Sequence, residues 1–409
     1  AGLLNSHQRT AVERALGADT VFCIHGPPGT GKTRTLTALI ELAVARGDRV
    51  LACAHSNPAI DNLLVGSSQP DAIDEDSLHA TVQNTDIKMA RVGHHSENHV
   101  VNSHYSHVPR SDADIIGSTT NAAAVLDDDD FDLVVVDEAT QASQPATLVP
   151  WLKGTPLVLA GDHRQLPPYC SNETAKDEEL HISLFEHLFN LYGPDVSERL
   201  DIQYRMNREI ADFASEAFYD RPLQHGPENA DWTIGDLESI IGLNVAGDEE
   251  TTNQTSSKFN STEADVVARS VKHLLSNDVD ATDIGIITPY TAQIREIREA
   301  LADKKIHGRS NIKIDTIDSF QGSEREAIIV SFVRSNPYNN SGFLTFPDEG
   351  KLRLNVALTR ARRRLVLVGN WETLSTVSDH RSSDESSADV YAHLHDYLNE
   401  KGRIRDISL

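Results

Sequence analysis

The chain has 409 residues, and its 62 acidic residues outnumber its 37 lysines and arginines, so the formal net charge at pH 7 is −25. This length suits two α/β domains better than a single core. The three cysteines are far apart and form no CxxC pair, which excludes a disulfide framework and a zinc knuckle. No apolar run approaches the roughly 20 residues of a membrane-spanning helix. With no signal peptide ahead of the first predicted helix, we expect a cytoplasmic protein with no membrane partner.

The choice of charged residue types is also informative. Asp outnumbers Glu by 37 to 25, and Arg outnumbers Lys by 26 to 11. This Asp-rich and Lys-poor composition is typical of halophilic proteins, and we expect the chain to come from a halophile. At about 1 M salt the Debye length falls to about 3 Å, so distant repulsion between an acidic protein and nucleic acid is screened. The alternative is an ordinary acidic protein, since charge bears on solubility and association and not on fold.

The chain begins with a predicted helix, because the sequence LLNSHQRTAVERAL at residues 3–16 has apolar residues at helical spacing. Gln8 is the residue in it that bears on function. A glutamine amide can pair twice with the N6/N7 edge of adenine, so beside a phosphate-binding loop it indicates ATP over GTP. Taken alone, Gln8 could equally be a solvated helix residue.

The first predicted strand leads into a glycine-rich loop, in the sequence VFCIHGPPGTGKT at residues 21–33. Its glycines allow the backbone to fold so tightly that successive N–H groups surround a phosphate, and the helix that follows points its positive end at the same anion. Lys32 would reach the β and γ phosphates, and the Thr33 hydroxyl would bind Mg²⁺. The strand–loop–helix context predicts a nucleoside triphosphate site, against the alternative of an incidental Gly/Pro surface turn.

A buried strand is predicted next at 50–54, and it ends in Ser56 and Asn57 before another helix begins. Small polar groups at the carboxyl end of a parallel strand lie where α/β sheets bind ligands. Residues 66–110 then lose all periodicity and predict an exposed loop or small insertion. A metal site is the alternative there, but the spacing of the five histidines concerned fits no zinc pattern: His94, His95, His99, His104 and His107.

Two further strands are predicted to end in polar residues. The first runs from about 113 to 117 and precedes Thr119, and the second, FDLVVV, is followed by Asp137 and Glu138. An apolar strand ending in Asp-Glu suits a P-loop ATPase, in which the Asp holds Mg²⁺ and the Glu takes the proton of the attacking water. The alternative is a helix with acidic residues in its first turn, which the β-branched VVV run disfavours.

The strand TPLVLAGD follows and leads to Gln165, which would lie beside the Asp-Glu pair and sense the γ-phosphate or orient water. We divide the chain into a first domain of residues 1–193, a second of 194–375, and a C-terminal tail of 376–409 with one helix. Strands and helices alternate in both domains, but there is one P-loop. We therefore predict an α/β fold of two tandem RecA-like domains, with parallel sheets that share a nucleotide cleft.

These segments together resemble the superfamily-1 helicases of the 5′→3′ subclass, the branch that holds the nonsense-mediated-decay helicase, senataxin, the Smu-binding-protein helicase and the replication nuclease-helicase. The resemblance covers about residues 3–370. It rests on segments in the family's order: LNSHQ, GPPGTGKT, AHSNPAIDNL, DEATQAS, GDHRQLPP, QYRM, TPYTAQ, IDSFQGSE and RLNVALTRARRRL. DEATQ, GDHRQLPP and QYRM together are far more specific than any single loop.

The resemblance implies a role for each residue that matches the family's pattern. One set would bind ATP: Gln8, Gly29, Thr30, Gly31, Lys32, Thr33, Tyr204 and Glu324. Mg²⁺ would be held by Thr33 and Asp137. The catalytic set, with the last two as arginine fingers, would be Lys32, Glu138, Gln165, Arg205 and Arg360. Single-stranded DNA or RNA would be contacted through phosphate and sugar by Ser56, Asn57, Thr119, Thr288 and Tyr290.

The chain departs from the family pattern in ways that leave two functions open. Relatives carry an accessory β-barrel before the glutamine segment and a larger helical insertion, whereas this chain starts almost at that segment and its insertion spans about 66–110. We expect a fragment of a longer protein, with further domains or protein partners outside this chain. The first function is an ATP-driven 5′→3′ translocase and helicase. The second is a nucleotide-gated ATPase that clamps nucleic acid or a protein without processive movement.

Overall fold

The computed structural model describes residues 4–93, 96–128, 130–170, 172–252, 255–338, 342–345, 349–376 and 387–407. Its contacts divide the chain into two units. The first comprises residues up to 163 together with 167–202, and the second comprises 164–166 together with 203 onward. The predicted boundary between the two domains lies at 193–194. Residues 197–199 form an edge strand of the first sheet, and the division between the units follows Ile202.

The first unit contains, within the described residues, a sheet of seven parallel strands in the order β3-β4-β2-β5-β6-β1-β7. The strands are β1 Val21–His25, β2 Val50–Ala54, β3 Met89–Val92, β4 Ile115–Thr119, β5 Leu133–Asp137, β6 Leu157–Gly161 and β7 Ser197–Arg199. The helices are α1 Ser6–Leu16, α2 Lys32–Ala45, α3 Asn57–Val65, α4 Leu78–Gln83, α5 His99–His104, α6 Gln144–Trp151, α7 Glu173–Asp177 and α8 Leu184–Tyr192.

The central strands of this sheet are apolar along their whole length because both faces of the sheet are covered. Consecutive residues of β5 point to opposite faces: Val135 joins the core packed by α1, α2 and α3, while Val134 and Val136 join the core packed by α8. The unbroken VVV run, which predicts a buried strand, is explained by this double burial.

The described part of residues 66–110 contains more regular secondary structure than the exposed loop or small insertion that the sequence predicts. They contain α4, β3 and α5, and β3 pairs in parallel with β4 at one edge of the sheet. Met89, Ala90 and Arg91 on β3 are buried. The sequence misses this strand because it has four residues and carries a buried arginine, so it shows neither an apolar run nor a clear alternation.

The second unit contains, in its described part, a second all-parallel sheet in the order β14-β13-β15-β16-β10-β17. Its strands are β10 Ile240–Val245, β13 Ile284–Thr288, β14 Lys313–Thr316, β15 Arg325–Ser331, β16 Ala361–Gly369 and β17 Ile404–Ile407. Two short pairs lie outside it: β8 Ile202–Gln203 with β9 Gln224–His225, and β11 Glu250–Thr251 with β12 Lys258–Phe259. The helices are α9 Arg208–Phe218, α10 Ser261–Leu275, α11 Thr291–Asp303, α12 Ile317–Phe320, α13 Gly350–Leu358, α14 Trp371–Ser375 and α15 Ser387–Glu400.

The described part of the C-terminal tail belongs to this second unit. Tyr391, Leu394 and Leu398 on α15 are buried in the core beside α9 and α13, and β17 pairs with β10. The predicted α/β class with two parallel sheets is confirmed. None of the helices in the described residues is long and apolar enough to cross a membrane.

A buried carboxyl group on α10 makes the stability of the second unit depend on pH. Glu263 is fully buried, and its Oε2 accepts hydrogen bonds from Ser331 Oγ at 2.7 Å and from the Val333 N–H at 2.8 Å. Burial raises the pKa of Glu263 from 4.5 to about 8. Between these values the native state holds a proton that the unfolded chain has lost, so stability falls as the pH rises.

We expect Glu263→Gln to flatten the fall in stability between about pH 5 and pH 8, because glutamine does not titrate while its side-chain oxygen can still accept both bonds. One retained proton is worth up to about 1.4 kcal/mol per pH unit. Thermal unfolding of both proteins at several pH values measures the difference. Glu299→Gln, at an exposed position on α11, is the control and should keep the wild-type slope. An unchanged slope in Glu263→Gln would contradict the prediction.

Candidate functional site

The carboxyl ends of the central strands of the first sheet are aligned at one edge. His25 at the end of β1 pairs with Gly161 of β6, and Ala54 at the end of β2 pairs with both Asp137 of β5 and Thr119 of β4. The segments that follow these strands therefore emerge side by side. These are the glycine-rich loop, the segment with Ser56 and Asn57, and the Asp137–Glu138 pair. Ligands of open parallel sheets bind at this edge.

The glycine-rich loop has the conformation that its sequence predicts. Gly29 and Gly31 have φ angles of +74° and +81°, in the left-handed region that favours glycine. A Cβ atom on Gly26 would lie 2.1 Å from Lys32 Cγ, so only glycine fits under the lysine side chain. Because α2 begins at Lys32, the loop lies at the N-terminus of a 14-residue helix. This end of α2 can bind an anion.

Lys32 lies between the loop and the two acidic residues after β5. Its Nζ donates to the Gly26 carbonyl at 2.9 Å and lies 4.0 Å from Glu138 Oε1. Glu138 has a φ of +50°, which is uncommon for a residue with a Cβ, and its Oε2 accepts a bond from Gln141 Nε2 at 3.1 Å. The strained backbone and this bond direct the Glu138 carboxylate toward the lysine.

Asp137 and Thr33 are the predicted magnesium ligands, and the structure places Asp137 at the buried end of β5 and Thr33 in the first turn of α2. Burial and the neighbouring Glu138 raise the pKa of Asp137 to about 7, against the opposing effect of Lys32. Its Oδ1 accepts the Glu138 N–H at 2.8 Å. A cation bound beside these two carboxyl groups would stabilise their charged forms. Oxygen ligands of this kind suit Mg²⁺.

Gln8 is placed beside the glycine-rich loop, but its amide already contacts protein groups. The side chain is 2% exposed, its Nε2 donates to the Thr30 carbonyl at 3.0 Å, and its Oε1 accepts the Asn5 N–H at 3.0 Å. The second bond completes a capping box at the start of α1. Gln8 therefore fastens α1 to the loop, and its contact with adenine stays a prediction.

The residues predicted to contact a nucleic-acid strand have different surroundings within their own units. Ser56 caps α3 by accepting the Ala59 N–H, Asn57 is half-buried against Arg91, and Thr119 Oγ1 accepts the Ala122 N–H. In the second unit, Tyr290 OH accepts a bond from Arg334 Nη1 at 3.3 Å. The Thr288 side chain is fully buried, so of the five it is the least accessible to a strand.

The second unit brings together three of its predicted site residues around Thr359. Arg205 Nη1 donates to the Thr359 carbonyl at 3.2 Å, and Arg360 Nη2 donates to the Thr359 hydroxyl at 3.0 Å. Glu324 pairs with Arg205, whose guanidinium holds the pKa of that carboxyl below its usual range. Sequence reasoning missed Thr359, although it lies in the TRARRR run.

Gln165 and Tyr204 complete the set of predicted residues. Gln165 lies in the short segment 164–166 that belongs to the second unit, where its Oε1 accepts a bond from Arg360 Nη2 at 3.3 Å. Both of these side chains are buried. Tyr204 is 39% exposed and packs close to Gly226. The sequence-based expectation of Gln165 beside the Asp-Glu pair stays a prediction.

One group of His, Cys, Asp and Glu side chains in the described residues is compact enough to hold a metal ion, and it includes none of the five histidines that were the alternative metal site in the 66–110 region. His25, Asp162 and His163 have ligand atoms within 4.8 Å of one another, and His25 Nε2 lies 3.3 Å from Asp162 Oδ1. The two imidazoles pack on Phe189. Of the five histidines weighed as ligands in the 66–110 region, His94 and His95 lie outside the described residues.

Comparison with known proteins identifies the family. Residues 3–111 and 109–173 match one AAA domain model, and residues 180–372 match another. An uncharacterized ATP-dependent helicase of Methanocaldococcus jannaschii is 31% identical, over 90% of this chain and 68% of that protein. The chain belongs to the superfamily-1 helicases. The DNA-binding protein SMUBP-2 of Mesocricetus auratus is 32% identical over 98% of this helicase chain and 45% of the relative.

The chain is also similar to a second named helicase and, more distantly, to a solved structure. The DNA polymerase alpha-associated DNA helicase A of Schizosaccharomyces pombe is 31% identical, over 92% of this chain and 65% of its own length. The chain thus spans only part of each of these relatives. A crystal structure of Arterivirus nonstructural protein 10, a helicase, aligns with a TM-score of 0.47 at 16% identity, over 90% of this chain and 64% of that one. The predicted branch, which includes the SMUBP-2 and replication helicase/nuclease relatives, is confirmed.

We expect Gly31→Ala to weaken ATP binding by more than tenfold. Alanine is strained at a φ of +81°, and its Cβ would lie 2.6 Å from Gln8 Nε2, so either the loop or the Gln8 amide that bonds to it must shift. Gly47→Ala is the matched control, since Gly47 has a φ of +94° but no atom within 4 Å of an added Cβ. Titration with a fluorescent ATP analogue compares the variants. Equal losses of affinity in both would show that the strain acts on stability and not on the loop.

Proposed function

We propose that this chain is the motor core of a helicase, which hydrolyses ATP and moves along single-stranded nucleic acid. One observation carries the proposal: the carboxyl ends of β1, β2, β4 and β5 align at one edge of the first sheet. The phosphate loop, the Asp-Glu pair and the strand-contact positions of the first unit therefore emerge at the same edge of the sheet. Phosphate binding at one segment can then change the position of its neighbours, which is what coupling hydrolysis to movement requires.

The residues at this edge have different roles in ATP hydrolysis. The loop amides and Lys32 bind the phosphates, and Lys32 also balances the charge of Glu138, its neighbour at 4.0 Å. Glu138 accepts the proton of the attacking water. Thr33 and Asp137 hold Mg²⁺, which, when bound, stabilises the charge that develops on the transferred phosphoryl oxygens.

Arg205 and Arg360 are proposed as arginine fingers for the same reaction. Support comes from their place in the QYRM and TRARRR segments and from their arrangement around Thr359, which holds both guanidinium groups. An arginine supplied to the γ-phosphate in the transition state contributes about 10³ to 10⁵ in rate.

The strand is proposed to be DNA, with movement 5′→3′. The names of several relatives include DNA binding or a DNA helicase, which favours DNA over RNA. The strand positions Ser56, Asn57, Thr119 and Tyr290 offer neutral polar groups, which suit sequence-independent contacts to phosphate and sugar. The direction rests on the resemblance of the segments to the 5′→3′ subclass.

A nucleotide-gated clamp is the second candidate function. It rests on the same nucleotide site, because the proximity of Lys32 to Glu138 serves ATP hydrolysis and does not by itself require movement along a strand. Such a clamp would hydrolyse ATP and hold a strand without unwinding a duplex.

A strand-displacement assay distinguishes the two candidate functions. On a duplex with a 5′ single-stranded tail, we expect the wild-type chain with ATP to release the complementary strand, and a 3′ tail to be a poor substrate. Glu138→Gln is the control, because it should bind ATP normally while turnover falls by roughly 10² to 10⁴. ATP hydrolysis stimulated by oligo(dT) but without displacement on either tail would favour the clamp. Hydrolysis that oligo(dT) does not stimulate would contradict both functions.

We expect Arg360→Ala to lower the basal ATP turnover by about 10³, while ATP affinity changes far less, because the interaction is made chiefly in the transition state. Turnover at saturating ATP without nucleic acid measures this effect. Arg363→Ala is the matched control: it lies in the same basic run, its side chain is 41% exposed, and it pairs with Glu326. An unchanged basal rate in Arg360→Ala, with a normal melting temperature, would reject the finger assignment.

A further inference from the structure

A buried arginine on β3 joins two residues of α3. The Arg91 side chain is 2% exposed; its Nε donates to Asp61 Oδ1 at 3.1 Å, and its Nη2 donates to Asn57 Oδ1 at 2.7 Å. The Asp61 carboxylate is also bonded through its other oxygen, which accepts from Ser96 Oγ. Because Asp61 has a bonding partner on each oxygen, the arginine and the aspartate form a neutral pair that is stable in the core.

This contact determines which end of the Asn57 amide faces Arg91 and which end points away from it. A guanidinium group has only donors, so the atom next to Arg91 must be the Asn57 carbonyl oxygen and not the amide nitrogen. Asn57 lies at the start of α3 and is half-buried. The amide NH₂ group is consequently directed away from Arg91, as a neutral donor at the positive end of a nine-residue helix.

We propose that Arg91 is a positioning residue, which holds the Asn57 amide so that its NH₂ group donates to a backbone oxygen of a bound strand. The inference rests on the proposed function, because it assumes that a single strand binds at this edge of the sheet. It adds a structural role for part of the 66–110 region. Arg91 on β3 bonds to both Asp61 and Asn57 on α3, so it presets a strand contact before the strand arrives.

A double-mutant cycle tests whether Arg91 acts through Asn57. We expect Asn57→Ala to weaken binding of a fluorescein-labelled oligo(dT) by about 5- to 20-fold. Arg91→Lys keeps a positive charge for Asp61 but loses the planar fork that spans two partners, and should weaken binding by about 3- to 10-fold. In the Asn57→Ala background, Arg91→Lys should change the affinity by less than about 1.5-fold. An equal loss in both backgrounds would overturn the inference.

Salt dependence separates this role from direct contact with phosphate. A neutral amide releases no counterion, so Arg91→Lys and Asn57→Ala should shift the affinity at every salt concentration and keep the wild-type slope. Arg91→Gln removes the positive charge as well. If Arg91→Gln reduced the slope of log K against log salt by about 0.7, Arg91 would itself neutralise a phosphate and the inference would be wrong.

The remaining controls distinguish failure of the inference from failure of the proposed function. Ser96→Ala removes the other partner of Asp61 without touching Asn57, so it should lower the melting temperature and leave oligo(dT) affinity unchanged. A wild-type chain that fails to bind oligo(dT) would reject the proposed function. A wild-type chain that binds, together with an Asn57→Ala variant that binds equally well, would reject the inference alone.

Discussion

Parallel pairing in the first sheet is the constraint on which the rest of the first-unit site depends. In a parallel sheet every strand ends at the same edge, so loops that are far apart in the sequence emerge next to one another. The register of the strand pairing determines how closely the starts of these loops are aligned. Because Ala54 pairs with both Asp137 and Thr119, the segments that follow β2, β4 and β5 start at the same level. A shift of one residue would displace a phosphate or strand contact by about 3.3 Å, more than hydrogen bonds tolerate.

Arginines in this acidic chain mainly hold other side chains in place. Arg91 pairs with Asp61, Arg205 with Glu324, and Arg334 with Glu249. In each case the planar guanidinium also bonds a second group, respectively the Asn57 amide, the Thr359 carbonyl and the Tyr290 hydroxyl. A lysine ammonium can also contact two groups, but it lacks the planar fork that fixes their relative orientation. The excess of arginine over lysine therefore has a structural use here, whatever salt concentration the protein meets.

The arrangement around Thr359 explains how one short segment can serve two arginines. The Thr359 carbonyl and hydroxyl each accept one guanidinium N–H, and the residue is itself fully buried at the end of α13. Like charges close together are costly in a low-dielectric region. The Glu324 carboxylate offsets this cost, since it pairs with Arg205 and lies 3.9 Å from Arg362 Nε. A local cluster of basic residues is thus kept in a fixed geometry.

The sequence by itself determined the α/β class with two parallel sheets, the conformation of the loop from Gly26 to Thr33, the position of Asp137 and Glu138 at the tip of a strand, and the family. These features are local: each is one strand, one loop and one helix, and glycine spacing and β-branched runs encode such units directly. The contacts of Arg91 with Asn57, of Gln8 with Thr30 and of Arg360 with Gln165, and the place of β17 in the second sheet, were decided only by tertiary structure. Each joins residues far apart in the chain, and which residues meet depends on strand order and register, which no local pattern specifies.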